Sequence, residues 1–339
     1  VKVVHFQRKK GLSFSLEGVF ETVRAHFPDG VEAEVRSCPF PSRGLFRRLA
    51  NVLWAALHRG EVNHVTGDVH YLALGLPRRR TVLTVADCGV VHRSAGVRRF
   101  LLRLFWYDLP VRRAAVVTTI SEESRRDLLA LVPCSPGKVR VVPCPVDPAF
   151  VPEPRPFREE RPRILQVGAK SNKNLERLAA ALEGIPCVLE VVGKLDEEQT
   201  ASLDRRGVRW ENRHGLTFPE MRERYRECDL LVCVSTFEGF GLPILEAQAT
   251  GRPVVTSRVS SMPEVAGDGA CLVDPFEVTS IREGIDRVIR ERPYREELVR
   301  KGFRNVERFR PESVAREYHR IYRELLEGAG EREQENRKR

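Results

Sequence analysis

Short apolar runs alternate along this chain with longer stretches whose apolar residues recur every three or four positions. VKVVHFQ at the start, VEAEVRSCPF, the segment beginning Asn63-His64-Val65, TVLTVAD from Thr81 to Asp87, AVVTTIS and VRVVPCPVDPAF make the first series of strands. RILQV, CVLEVVGK, VRWENRH, DLLVCVST, VVTSR and ACLVDP make the second. Most of these runs are nearly all apolar rather than alternating, which is how strands buried on both faces of a parallel sheet read. Helical spacing is expected over residues 16–26, 44–58, 92–113, after the Ser121 cap, within PEMRERYREC, after Pro243, over 277–290 and 295–307, and from Pro311 to Leu326. Strand, turn and helix in repeated succession predict an α/β protein with parallel sheets. Prolines at 145, 148, 152, 154 and 156 mark a stiff linker between two domains, residues 1–155 and 156–310. A helix over 311–328 is expected to pack back toward the first domain, and the charged tail 329–339 to be disordered.

A length of 339 residues agrees with two domains, since it exceeds what one hydrophobic core usually serves. No apolar run reaches the roughly 18 to 20 residues of a membrane span, and VKVVHFQRKK reads as a strand followed by charge rather than a signal peptide. The expectation is a cytoplasmic protein. Eight cysteines without a C-x-x-C pair read as buried thiols in a reducing compartment, with no metal site. The net charge of +10 belongs to the first 150 residues, which hold 23 Lys and Arg against 13 Asp and Glu, while the remainder holds 34 of each. Within that half, the segment His92 to Arg113 interleaves arginines with Phe100, Leu101, Phe105, Trp106 and Tyr107. Two readings stand open: an amphipathic helix on an anionic membrane surface, at the inner face of the membrane, or an ordinary helix with an arginine-rich solvent side. Nucleic acid is set aside because no recognised binding motif accompanies the charge.

The candidate chemistry centres on FEGFGLPILEAQATGRPVVTS, Phe237 to Ser257. Here a buried strand runs into a Gly239-Phe240-Gly241-Leu242 turn and then a helix with Pro243 near its start. Glu238 then lies at the carboxyl end of a strand and Glu246 about one turn into the helix, which is where open α/β sheets bind ligands. Glycines allow close backbone approach, and a helix start offers N–H groups and partial positive charge to a diphosphate. The turn Gly168-Ala169-Lys170-Ser171-Asn172-Lys173 adds two lysines to the same sheet edge, so a diphosphate fits between them and the Gly239–Leu242 amides. In the first half, the basic glycine loop carrying Gly11 and Ser13 can cradle a phosphate or an acceptor, while Asp68, His70, Asp87 and His64 are candidates at strand ends. A lone histidine is more often structural.

These residues carry a resemblance. VGAKSNKNLERL, HGLTFPEMRERYRECDLLVCVSTFEGFGLPILEAQATGRPVV and SSMPEVAGDGACLVDP resemble the retaining glycosyltransferases of family four, and TVLTVAD, TTISEESRRDLL and VVPCPVD do so more loosely. The resemblance implies the GT-B fold, two Rossmann-like domains facing across a cleft. It also implies transfer of a hexose from a nucleotide diphosphate sugar to a hydroxyl acceptor, such as a glycan or lipid-linked sugar, without metal or other cofactor. Glu246 would then bind ribose, Glu238 would lie by the transferred sugar, the amides of Gly239 to Leu242 would contact sugar and phosphate, Lys173 would hold phosphate with Lys170 in place of the family's arginine, and His214-Gly215-Leu216 would face the base.

One departure bears on catalysis. The family's strand ends in His-Asp where this chain has Ala86-Asp87, so either the substitution inactivates or His70 or His92 supplies the contact. A nucleotide-sugar binder without turnover and an epimerase of the same fold are the alternatives. No Asp-x-Asp metal motif occurs.

Overall fold

A computed structural model describes residues 1–9 and 15–337; Gly11 and Ser13 lie outside the described residues. The chain divides into two compact units, Val1–Pro145 together with Pro311–Arg339, and Val146–Arg310.

In the first unit, β1 (Lys2–Gln7), β2 (Glu32–Ser37), β3 (Val62–Val65), β4 (Thr81–Val85), β5 (Val116–Thr119) and β6 (Val139–Val141) form one parallel sheet in the order β2-β1-β3-β4-β5-β6. The continuous apolar runs take the middle places: every residue of β3 and β4 is buried. The alternating VEAEVRSCPF supplies the edge strand β2, half of whose residues are exposed. In the second unit, β7 (Arg163–Val167), β8 (Val188–Val192), β9 (Trp210–Arg213), β10 (Leu230–Cys233), β11 (Val254–Ser257) and β12 (Cys271–Val273) form a second parallel sheet in the order β12-β11-β10-β7-β8-β9. Strand order reverses between β1 and β3 in the first sheet and between β7 and β10 in the second. Those are the switch points at whose carboxyl edges such sheets open a crevice for ligands.

The linker is assigned differently from the sequence expectation. The prolines from 148 onward do not separate the units; they run along the second one. Phe150 packs edge-on against Phe218 and Tyr225, and Arg155 donates to the carbonyls of Arg226 and Glu227. Arg158 binds the buried Asp229. The boundary therefore falls at Pro145/Val146 rather than 155/156.

The last helix, Pro311–Arg337, belongs to the first unit, where Tyr318 and Tyr322 are buried. It continues past the expected end at Leu326 into the segment expected to be disordered. Glu, Arg and Gln dominate there, and all three are good helix formers.

The single helix expected over 92–113 is also revised. Helices Gly89–His92 and Gly96–Leu102 are separate, and Arg103–Asp108 is a π-helical turn leading into Leu109–Arg113. Pro110 has no N–H to give the carbonyl of Trp106, so the normal ladder fails there. His70 Nδ1 takes that carbonyl instead at 2.8 Å. Among the described residues, no helix is long and apolar enough to cross a membrane. All eight cysteines are free thiols, seven of them buried.

Candidate active site

The second unit's switch point is built from two loops that hydrogen bonds stitch together. After β7 come Gly168 to Lys170 and a short 3-10 turn, Ser171–Lys173; after β10 comes the loop that ends at Gly241 and starts the helix Leu242–Thr250. Asn174, held at φ 59°, donates through Nδ2 to the carbonyls of Val234 and Pro275. Asn172 donates to the Phe237 carbonyl at 2.9 Å, and the Thr236 N–H returns a bond to the Asn172 carbonyl at 2.9 Å.

This frame brings Lys173 onto Glu238, with Nζ 2.5 Å from Oε1. Ser235 donates to that same oxygen at 2.7 Å, so both of these bonds fall on one side of the carboxylate. The Glu238 backbone is fixed as well: Ser260 Oγ accepts from its N–H, and Ser260 and Ser261 donate to its carbonyl. Burial draws the Lys173 pKa down, but Cys233, Glu238 and Glu246 outweigh it and the net shift is upward, so the side chain stays cationic. Gly168 makes room for it. Its φ of +94° suits glycine, and a Cβ there would stand 2.7 Å from Lys173 Cε.

One helical turn on, Glu246 accepts a bond from the buried Tyr225 hydroxyl at 2.5 Å. Burial raises the Glu246 carboxyl to about 7, against the opposing pull of Tyr225. Gly241, at φ +109°, turns the chain into the helix; Pro243 has no N–H and the Ile244 N–H is taken by the Gly241 carbonyl at 3.0 Å, so the helix start offers chiefly its partial positive charge. Two carboxylates and a cation thus converge at a helix start, a set suited to holding a diphosphate with a hydroxyl-bearing group on either side.

Of the residues expected here, Lys173, Glu238, Gly239 to Leu242 and Glu246 are brought together. Lys170 is exposed on the turn after β7. His214 and Gly215 are exposed, with Leu216 half-buried, on the loop after β9, two strands from the switch point. Ser235, Ser260, Ser261, Asn172 and Tyr225 were not anticipated. The serine pair before Met262-Pro263 was the one local signal, readable as a helix start.

In the first unit, Ala86 and Asp87 follow β4. Ser124 donates its hydroxyl to the Ala86 carbonyl at 2.7 Å, and Asp87 Oδ1 accepts from the Gly89 N–H. This explains why Ser124 stands third in its helix, where Glu is preferred after the Ser121 cap. His70 lies in the fields of Asp68 and Asp87, and burial lowers its pKa. It is 4% exposed with Nδ1 donating to Trp106, so it serves the π-helical turn. Asp68 accepts from the Trp106 indole at 3.2 Å, and the exposed His92 lies 3.8 Å from Asp127. His64 is interior, between Tyr322 and Thr84. Among the described residues, no cluster of His, Cys, Asp and Glu is placed to hold a metal ion.

Comparison with known proteins agrees along most of the length. Residues 150–305 match the family Glycosyl transferases group 1, and residues 14–150 match Glycosyltransferase Family 4. The chain is 29% identical to the MMP alpha-(1->4)-mannosyltransferase of Mycolicibacterium hassiacum over 93% of its own length and 80% of that protein. It is 40% identical to the O-antigen chain mannosyltransferase B of Escherichia coli over 25% of its length and 22% of that protein. Sucrose-phosphate synthase from Thermosynechococcus elongatus superposes with a TM-score of 0.76 at 17% identity, covering 97% of this chain and 100% of that one. Anabaena HepE in complex with UDP and glucose superposes with 0.74 at 16%, covering 94% and 98%.

Proposed function

The chain belongs to the glycosyltransferases of family four and has the GT-B fold; from that premise we propose that it moves a hexose from a nucleoside diphosphate sugar to a hydroxyl acceptor, with retention and without a metal ion. The observation that carries this reading is the Lys173–Glu238 pair, with Glu246 in the same field, at the switch point of the second sheet. As the bond from the sugar's C1 to the diphosphate breaks, its electron pair moves onto the diphosphate. Lys173 and the N-terminus of the helix Leu242–Thr250 supply positive charge where that charge develops, and such preorganised stabilisation is usually the largest catalytic contribution. The acceptor oxygen bonds to C1 on the face the diphosphate leaves, and its proton passes to a departing phosphate oxygen. Glu238, with Oε1 already taken up, offers its other oxygen to a sugar hydroxyl, and Glu246 accepts from ribose.

Mannose is the first sugar to test, because the two relatives described above are named mannosyltransferases. The excess of Lys and Arg in the first 150 residues favours an anionic acceptor, such as a phosphate-bearing lipid-linked sugar, and work at an anionic lipid surface. A thermal-shift screen against nucleoside diphosphate sugars tests donor binding, since a ligand at about 100 times its Kd stabilises by roughly 2.7 kcal/mol. Glu246→Ala should weaken binding of the nucleoside diphosphate itself, whereas Glu238→Ala should spare it and weaken only the sugar-bearing donor. Equal loss of diphosphate affinity in both variants would sink these roles.

Ala86 supports a second reading, a nucleotide-sugar binder without turnover, because His70 is committed to Trp106 and His92 lies beside Asp127. Under the transferase reading, the wild-type chain releases nucleoside diphosphate in the presence of acceptor extracts, and Ala86→His changes that rate. Donor binding without release in either form would establish the second reading.

A further inference from the structure

The helix Leu45–Leu57, LFRRLANVLWAAL, is apolar on two sides. Asn51 and Ala55 face the interior, yet Leu45, Phe46, Leu49, Leu53 and Leu57 are exposed, with Phe46 at 86% and Leu57 at 83%. Residues 45, 49, 53 and 57 follow one another at four-residue intervals, so they form one stripe along roughly 18 Å of helix. A second exposed apolar group, Val97, Phe100, Leu101 and Phe105, lies on the segment from Gly96 to Asp108. The two elements meet where the Arg48 guanidinium stacks 4.5 Å from the centroid of the Trp106 ring.

Charge narrows what could cover this face. Arg43 and Arg47 accompany the leucine stripe, and Arg98 and Arg99 accompany the second group, whose Arg103 is already paired with Asp108 at 3.3 Å. No carboxylate occurs in sequence between Glu34 and Glu61, or between Asp87 and Asp108. A second copy packed about a two-fold axis would bring Arg43, Arg47, Arg98 and Arg99 against their own kind, with no carboxylate within residues 35–60 or 88–107 to answer them. A neutral apolar partner would leave the arginines unanswered too. An anionic bilayer meets both features: acyl chains for the stripe and headgroup charge for the arginines.

We propose that this face docks on an anionic lipid surface, with the helix Leu45–Leu57 lying in the interface and its leucine stripe among the acyl chains. This rests on the reading that the chain works at such a surface, and it moves the main contact from His92–Arg113, where Trp106, Tyr107 and Val111 are buried, to a helix whose stripe is open.

Flotation of the full chain with phosphatidylcholine vesicles, with and without phosphatidylglycerol, tests it. The variants are Phe46→Ser with Leu49→Ser, Leu53→Ser with Leu57→Ser, and Arg43→Gln with Arg47→Gln, each checked for an unchanged melting temperature. Wild type should float with the anionic vesicles only, and each leucine-stripe pair should lower partitioning about ten-fold or more. The arginine pair should lower it less and weaken its salt dependence. If wild type floats and the stripe variants float equally well, the face is wrong while the lipid-surface reading survives. If wild type floats with neither vesicle, both fail. A concentration-dependent dimer that the stripe variants abolish would assign the face to a second copy and overturn the proposal. Nucleoside diphosphate binding in vesicle-free buffer should be unchanged in all variants, which separates this test from that of the donor site.

Discussion

Glu246 is the residue at which burial and function pull hardest against each other. Its carboxyl is raised to about 7 by burial, while the Tyr225 hydroxyl, 2.5 Å away, favours the ionised form and holds the rise in check. Because its pKa in the folded protein exceeds the ordinary 4.5, its contribution to stability is full below that value and is lost as pH rises through about 7. Binding should run the other way, since an ionised carboxylate accepts two ribose hydrogen bonds and a protonated one must spend an oxygen as a donor. Nucleoside diphosphate affinity is therefore expected to rise with pH through neutrality. Tyr225→Phe removes the bond that favours ionisation and should move the rise to higher pH. Calorimetric titration over about pH 6 to 8 would read both effects; a flat Kd in wild type, or an unmoved midpoint in the variant, would refute the assignment. At this scale the sequence disclosed Lys173, Glu238 and Glu246, because strand, glycine turn and helix start stand together in one stretch. It could not disclose Tyr225, 21 residues from Glu246, or Ser260, 22 residues from Glu238, because no periodicity marks a bond between separate elements.

Buried parallel strands were the most legible elements, since a strand covered on both faces has no polar alternation to confuse with a helix. The segment 92–113 was the least legible: its composition suits one helix, and the break depends on Pro110 together with a histidine far away in sequence that takes the carbonyl Pro110 leaves open. The helix Pro311–Arg337 shows a further dependence that composition hides. Its Tyr322 hydroxyl lies 3.0 Å from His5 Nε2 and 2.7 Å from His64 Nδ1, while His64 Nε2 lies 2.7 Å from Thr84 Oγ1. Burial holds His64 down to about 3 and His5 well below its usual range, with His64 and Arg24 also depressing His5. Both rings are thus neutral in the folded unit, and the unfolded chain takes up protons first as pH falls. Their contribution to stability is complete above the ordinary 6.5 and is lost progressively below it, toward about 3 for His64. Tyr322→Phe should cost roughly 1–3 kcal/mol by leaving buried ring nitrogens without their partner. His64→Gln should flatten part of the acid slope in urea unfolding, and an unaltered slope would show that the histidine is not what titrates.

Taken whole, the chain lends its last helix to the first unit and keeps its proline-rich connector with the second. A division placed at the prolines would cut through the second unit's own packing, because Phe150, Arg155 and Arg158 all bind elements that follow β9. Sequence favours that misplacement: prolines and charge look like a linker, and the aromatic pairing that ties them down joins residues some seventy apart. The site residues Lys173, Glu238, Glu246 and Tyr225 all lie within Val146–Arg310, as do the bonds that hold them. A fragment spanning 146–310 should therefore fold and retain nucleoside diphosphate affinity close to that of the full chain. A fragment spanning 156–310 loses Phe150 from the face of Tyr225, the residue that positions Glu246, and loses the Arg155 bonds to the end of the following helix. Deleting a buried phenylalanine alone costs about 3–5 kcal/mol, so the shorter fragment should melt well below the longer one and bind more weakly. Equal melting temperatures and equal affinity would mean that residues 146–155 are a linker after all, and that the tie through Phe150 contributes nothing to the donor site.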